Sequence, residues 1–351
     1  MERLTREQLQ FVLQSAILAP SADNHHRIHF QLRDDRLLVC HRETGLPPEG
    51  SYKRVLALLS LGALVENLSI AASRFGATTK IALLPDAQRA DLLLEITLQC
   101  NGVEADSLWP QIPMRHTNRQ LMFRGPGMSE LQQSEMATAV RACPVTQLLW
   151  LDDPERRRQA LALMRRAETE RFRNRLLHEE LFSAIRFDVG WHVACPEGLP
   201  PGALGVEAPL RPFFALLRHW RLARLANLLG THHMLGVRSC YLPCRLAPHL
   251  GLLAVSQPDS QSALDAGRAF ERLWLLATAH GRVLQPMPAS ALYALPGALA
   301  EGIPDALQHA LAGGWKSILG EAVPLMLFRM GSAPQSAIVT GRPLLDSWLE
   351  G

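Results

Sequence analysis

The 351 residues carry 36 Lys and Arg against 33 Asp and Glu, a formal net charge of +3, with 48% hydrophobic and 20% charged residues. A balanced surface with scattered arginines argues against nucleic acid as the main partner, and this much apolar material excludes intrinsic disorder while allowing one large or two ordinary domains. The N-terminus has no uninterrupted apolar stretch and no run of about 18 apolar residues follows, so neither a signal peptide nor a membrane span is expected and a cytoplasmic protein is. Cys40, Cys100, Cys143, Cys195, Cys240 and Cys244 read as reduced interior thiols.

The chain opens on a helix from Thr5 to Leu18. Thr5 is its N-cap, and Leu9, Val12, Leu13, Ala16 and Ile17 fall at helical spacing before Pro20. A polar loop, residues 21–27, leads to two short strands, Ile28 to Leu32 and Arg36 to His41, around Asp34-Asp35 as in a hairpin. After a loop from Gly45 to Gly50, a second helix runs from Tyr52 to Phe75 and stops at Gly76. Thr79 to Leu84 and Leu92 to Gln99 read as strands about a Pro85-Asp86 turn.

A Pro-rich stretch then holds Met114-Arg115-His116-Thr117-Asn118-Arg119. If extended, it points Arg115, Thr117 and Arg119 to one side. Two guanidinium forks and a hydroxyl there suit a phosphate; a solvated basic loop is the alternative. Ser129 caps a helix reaching Ala142, with Met136 and Val140 inward, and Val145 to Leu151 is a strand.

Pro154 to Leu177 predicts one long arginine-rich helix with a solvated face of i,i+4 pairs. Residues 181–230 are less regular, then helical. Within them Ala208 to Leu229 is basic and amphipathic; packing on the core is favoured over a lid, and both over a seat on a membrane surface. Leu252 to Ser256 is a strand, Ser260 to His280 a helix ending at Gly281, and Leu284 begins an extended piece. Val323 to Met330 is an apolar strand and Pro334 to Gly351 a tail. His232-His233 with Cys240 and Cys244, and His25, His26 and His29, read as core or loop residues, so no metal is expected.

The chain also repeats itself. At an offset of 205 (267 minus 62), Gly62, Glu66, Leu68, Ala72 and Gly76 recur as Gly267, Glu271, Leu273, Ala277 and Gly281. Both helices end in Gly at the C′ position. At an offset of 124 (129 minus 5), Thr5, Ala16 and Pro20 fall against Ser129, Val140 and Pro144. The offsets differ by 81 (205 minus 124), so the second copy carries an insertion of about that size between Leu151 and Ser260. Chance coincidence is the alternative; duplication, the favoured reading, predicts two half-domains packed as an internal pseudo-dimer.

These pieces together resemble the FMN-dependent nitroreductase family. Its Arg-x-Ser/Thr-x-Arg motif is similar to Arg115, Thr117 and Arg119. Its Gly/Ala-rich central helix and Pro-containing strand are similar to Gly267 to Gly281 and Gln285-Pro286-Met287, and its basic residue near the C-terminus to Arg342. In that family a partner subunit lays a Pro-Ser-Ser-x-Asn-x-Gln-Pro-Trp loop against the flavin. Pro20-Ser21-Ala22-Asp23-Asn24-His25-His26-Arg27-Ile28 resembles it within the same chain, with His26-Arg27-Ile28 departing from Gln-Pro-Trp.

The arrangement is closest to the fused, Acg-like subgroup. The resemblance implies an α+β fold of two tandem halves, each a mainly antiparallel sheet flanked by helices. Residues 1–110 form a degenerate half, and residues 111–351 a half with the phosphate motif and a lid-like insertion around 180–250. It implies one FMN per chain, held by Arg115, Thr117, Arg119 and Arg342 at the phosphate and by Pro20, Ser21, Asn24, Pro286 and Met287 at the ring. NAD(P)H is the implied donor and a nitro- or quinone-like small molecule the acceptor, with no stable membrane insertion and a monomer expected because the dimer is internal. No catalytic residue is assigned. A flavin-sequestering protein with little turnover is the alternative.

Overall fold

The computed structural model describes residues 3–33, 36–43, 45–141, 143 and 146–349. The Asp34-Asp35 turn, Ala142, Pro144, Val145 and the first and last two residues of the chain lie outside the described residues.

Local capping sets the helix starts. Helix α1 spans Arg6–Ile17: Thr5 Oγ1 accepts from Gln8 N at 3.2 Å while Thr5 N donates back to Gln8 Oε1 at 2.9 Å. Strands β1 (Ile28–Arg33) and β2 (Arg36–His41) follow, then the long helix α2 (Tyr52–Ser73), then β3 (Ala77–Leu83) and β4 (Leu92–Cys100). These four strands form an antiparallel sheet in the order β1-β2-β4-β3.

The second half begins with α3 (Glu130–Arg141), where Ser129 and Gln132 repeat the reciprocal box at 3.2 Å in both directions. Gln8 and Gln132 keep the offset of 124 (132 minus 8), a matched pair additional to those read from the sequence. Strand β5 (Thr146–Trp150) leads into a helical segment: α4 (Pro154–Arg173), α5 (Arg175–Ser183), α6 (Arg211–Leu216), α7 (Trp220–Asn227), α8 (Thr231–Gly236) and α9 (Leu242–Leu246). Then come β6 (His249–Val255), α10 (Ser260–Ala279), β7 (Val283–Pro286), α11 (Ala289–Leu292), α12 (Asp305–Leu319) and β8 (Val323–Gly331).

The second antiparallel sheet has the order β5-β6-β8-β7, so the two sheets share one topology. Even the register slips correspond: β2 slips against β4 between Val39 and Cys40, and β6 against β8 between Leu253 and Ala254.

Two expectations change. The helix drawn from Pro154 to Leu177 is broken at Asn174, whose backbone is extended (φ −81°, ψ 130°) and whose side chain caps α5 by accepting from Leu176 N at 2.9 Å. Its face is also not wholly solvated, because Ala160, Leu161, Met164, Ala167, Glu168, Glu170 and Phe172 are buried. The C-terminal tail is held in place: Leu345–Trp348 makes a 3₁₀ turn, Trp348 stacks on Phe30 with ring centroids 6.0 Å apart, and Leu349 bridges to Phe30.

Helices α2 and α10 form the centre, and their crossing is backbone on backbone. A Cβ at Gly62 would stand 2.0 Å from Leu264 O, and one at Gly267 would stand 2.2 Å from Leu59 O. Leu59 and Leu264 are themselves 205 apart (264 minus 59), so the contact is reciprocal. Helix α2 is long and apolar enough to cross a membrane by length and composition, but Val65, Leu68 and Ala71 are wholly inaccessible within this fold.

Candidate functional site

A cavity of about 460 Å³ opens at the seam between the halves. The first half contributes Pro20, Ser21, Ala22, Asp23, Tyr52 and Leu59. The second contributes Thr117, Arg119, Phe270, Trp274, Pro286, Met287 and Tyr293. The helical segment between β5 and β6 supplies a third wall, including Glu168, Arg171, Phe172, Leu204, Phe213, Phe214 and Met234. Its size falls within the roughly 300–1,000 Å³ usual for cofactor sites, and its lining is mostly apolar with a few polar groups.

The stretch around residues 115–119 is positioned by backbone contacts to β7: Asn118 N donates to Leu284 O at 3.1 Å and Thr117 bridges Leu284. This arrangement separates the three residues expected to share a side. Thr117 and Arg119 line the cavity, whereas Arg115 is turned into the helical seam. Arg115 Nε lies 3.0 Å from Glu271 Oε1, its Nη2 donates to Leu18 O at 2.9 Å, and its guanidinium sits 4.4 Å from the Trp274 ring centroid. Trp274 lines the cavity, so Arg115 stands behind the wall.

Arg342 is also turned away. Its Nε donates to Ile17 O at 2.9 Å and its Nη2 to Ala19 O at 2.7 Å, which places a cation on the carbonyl end of α1. It also donates to Asn24 Oδ1, and burial with the nearby Arg115 charge lowers its pKa to about 9. Asn24 in turn donates to Gly198 O at 3.1 Å and Pro196 O at 3.2 Å. Asp23 and Asn24 both adopt positive φ, 50° and 58°, a conformation that Asp and Asn tolerate better than most residues. Asn24 and Arg342 thus shape the loop that carries Pro20, Ser21 and Asp23 to the cavity. His26 is buried against Trp348, with ring centroids 4.8 Å apart, and does not line the cavity.

Arg119 makes no side-chain hydrogen bond or ion pair among the described residues. Burial, opposed by Asp23 and reinforced by Arg171, brings its pKa down to about 10. Burial works against the Arg171 charge as well, yet Glu168, Asp23 and Glu180 together leave its pKa raised. Ser21 Oγ is buried with no hydrogen-bond partner among the described residues. The site therefore offers an incompletely neutralised cation and an open hydroxyl beside apolar walls. Tyr52 and Tyr293 also line it, edge to face at 5.3 Å, and burial raises both phenols well above their usual range.

Arg171, Trp274, Tyr52, Tyr293 and Asp23 escaped the sequence reading. Arg171 looked like one more arginine of a solvated helix; Phe172 and Met164 beside it were the available sign of a buried face. Arg329 escaped too. It is wholly buried on β8, donating to Gln285 Oε1 at 2.8 Å, Leu121 O at 3.1 Å and Pro243 O at 3.3 Å, with Phe123 beneath it at 3.8 Å. It ties the sheet, the stretch after Arg119 and the helical segment to one another.

The segment also presses directly on Arg119. Gly205 has φ +70°, and a Cβ there would lie 2.3 Å from Arg119 O. Arg238 fixes that approach by donating to Gly205 O at 2.9 Å while pairing with Glu207.

No known protein-family profile matches this chain, and no curated protein does. Among solved structures, it is similar to the FMN-dependent nitroreductase NfnB from Mycobacterium smegmatis in complex with NADPH, at 18% identity and a TM-score of 0.38, covering 69% of this chain and 96% of that one. A nitroreductase with bound FMN from Bacteroides fragilis gives 10% identity, a TM-score of 0.38 and coverages of 68% and 95%. The FMN and NADPH-dependent nitroreductase NfnB from sphigopyxis sp. strain HMH gives 14%, 0.37, 70% and 99%.

Proposed function

We propose that this chain is an FMN-binding oxidoreductase of nitroreductase type, built as a tandem fusion whose two halves form one internal dimer with one flavin site. The cavity itself carries this reading. It is lined by Pro20 to Asp23 of one half and Thr117 and Arg119 of the other, with Arg119 lacking an ion-pair partner and Ser21 lacking a hydrogen-bond partner among the described residues. The shared strand order and the reciprocal Gly62–Gly267 crossing support the duplication, with residues 1–110 as the first half and 111–351 as the second.

The residues present fit FMN. A phosphate monoester needs charge-assisted donors, and Arg119, Arg171 and the Thr117 hydroxyl are the cavity's own set. A flat apolar ring needs walls such as Leu59, Phe270, Trp274 and Met287, with Pro20, Ser21 and Pro286 around it. When bound, FMN would supply the redox chemistry, taking hydride from NADH or NADPH and delivering it to a nitro- or quinone-like acceptor. The chain's own residues bind, orient and exclude water. Arg115, Asn24 and Arg342 act as positioning residues, holding Trp274 and the 20–24 loop. A second reading, flavin sequestration with little turnover, draws on the wall from Leu199 to Ser239 that covers the cavity and is strapped by Arg238 and Glu207.

The test is the flavin absorbance of the purified chain after reconstitution with FMN, followed by anaerobic addition of NADH or NADPH. Stoichiometric flavin that bleaches supports the enzyme. Bound flavin that neither donor bleaches selects sequestration, and failure to bind FMN sinks both.

A further inference from the structure

The 51 residues from Ala208 to Pro258 contain six arginines and no lysine, aspartate or glutamate. The chain's +3 thus divides into +6 here and −3 over everything else. Four of the six, Arg211, Arg218, Arg221 and Arg224, lie on α6, α7 and the turn between them. Although α7 packs Trp220, Ala223 and Ala226 on a small apolar cluster, its opposite side is also rich in leucine. Helix α7 buries Ala223 but directs Arg221, Leu222, Arg224 and Leu225 outward. Leu225 is 63% exposed, and the turn that follows adds Leu228 at 79% and Leu229 at 87%; Met234 on α8 is 65% exposed. Arg221 and Arg224 have no carboxylate partner among the described residues. Isolated exposed leucines are ordinary, but a contiguous apolar ridge flanked by unpaired cations is not.

We propose that this α6–α8 face seats the protein reversibly on an anionic lipid bilayer. The leucines of the ridge enter the headgroup–acyl boundary, while Arg218, Arg221 and Arg224 keep their heads in the anionic headgroup layer. Charge complementarity favours lipid over a second copy of this chain: copies meeting face to face through this patch would bring like-charged arginines together. The short helix and few arginines make the attachment peripheral. Leu210, Phe213 and Met234, exposed in the same helical segment, also line the cavity. The inference stands independently of the flavin reading.

Flotation of the full chain with phosphatidylcholine vesicles, with and without phosphatidylserine, tests it. The expected result is binding to the serine-lipid vesicles at least tenfold stronger than to the neutral ones, weakened by salt. A triple variant Leu225→Ser, Leu228→Ser, Leu229→Ser and, separately, Arg221→Gln with Arg224→Gln should each lower partitioning at least tenfold with unchanged melting curves. The arginine pair stands alone if the serine variant fails to fold. No binding to anionic vesicles, equal binding to neutral ones, or variants that bind like the parent would overturn the proposal. So would a solution dimer that the serine variant dissociates while the parent ignores vesicles.

Discussion

Arg115 Nε lies 3.0 Å from Glu271 Oε1 in the seam, whereas Glu66, the same position 205 residues earlier (271 minus 66), pairs with Arg268 at 3.0 Å and Arg272 at 2.6 Å. The difference has a local origin. Arg272 corresponds to Asn67 at that offset, so the second glutamate lacks a partner of the same kind across the helix crossing and draws its cation from the stretch before Thr117. Burial pushes the Glu271 carboxyl up to about 7, against the attraction of Arg115 and Arg342. Removing one member of a buried pair leaves the other uncompensated. We expect Arg115→Met to cost about 3–5 kcal/mol in denaturant unfolding, and Arg115→Met with Glu271→Leu to recover most of it. A double-variant loss equal to the sum of the Arg115→Met and Glu271→Leu losses would show that the pair is not coupled.

Arg119 should behave in the opposite way. Its side chain makes no hydrogen bond among the described residues, so on the proposed flavin reading Arg119→Ala should leave the melting temperature nearly unchanged while weakening FMN retention about tenfold or more, the loss of one charge-assisted contact. Arg171→Ala should weaken retention in the same direction. If FMN binds Arg119→Ala as tightly as the parent in a fluorescence titration, Arg119 does not meet the phosphate.

The helix crossing yields a packing prediction. Alanine ordinarily improves a helix by about 1 kcal/mol over glycine. At Gly62 or Gly267 the added methyl meets a carbonyl oxygen of the opposite backbone, which cannot rotate away. Overpacking should win, giving a net loss of about 2–3 kcal/mol. Gly313 supplies the control, since a Cβ there meets nothing within 4 Å, and Gly313→Ala should be neutral or stabilising. Thermal melts that rank the three alike would contradict the backbone contact.

His26 sets an acid limit. Burial, aided by the Arg342 charge and by His25 and Arg42, lowers its pKa from 6.5 to about 3, although the Pro196 carbonyl opposes the shift. Between those values the unfolded chain binds the proton and the folded chain does not. This contribution is therefore complete above pH 6.5 and is lost as pH falls toward 3, with a slope approaching 1.4 kcal/mol per pH unit. His26→Phe should flatten the stability profile across that window; an unchanged slope would assign acid lability to other groups.

Much of the fold is legible because its signals are local. Thr5 and Ser129 cap their helices through residues three positions on, and Gly281 stands with positive φ just after His280, the C-cap of α10. Helix α2, by contrast, ends earlier than its spacing suggests, at Ser73 with Arg74 as its cap, so Gly76 falls one position past C′. The site is less legible because its contacts are long-range. Arg115 and Arg119 sit in one short polar stretch, and nothing in that stretch says which faces a carboxylate 156 residues later (271 minus 115) and which faces a cavity. Arg171 required knowing that α4 carries a wall, and Arg329 required knowing which carbonyls converge on β8. Asn174 is a residue type that caps helices, but it sits inside a continuous charged helical stretch, and only its extended backbone in the fold marks the break.

On the duplication reading, the Gly62–Gly267 crossing explains why the halves have drifted so far apart elsewhere. Where side chain meets side chain, a change in one copy can be answered in the other, as Asn67 and Arg272 illustrate. Where main chain meets main chain there is no compensating mutation, because no substitution moves a carbonyl oxygen. Ancestry should therefore stay visible at the points of backbone contact and fade around them, leaving two glycines as the most durable record of a common origin.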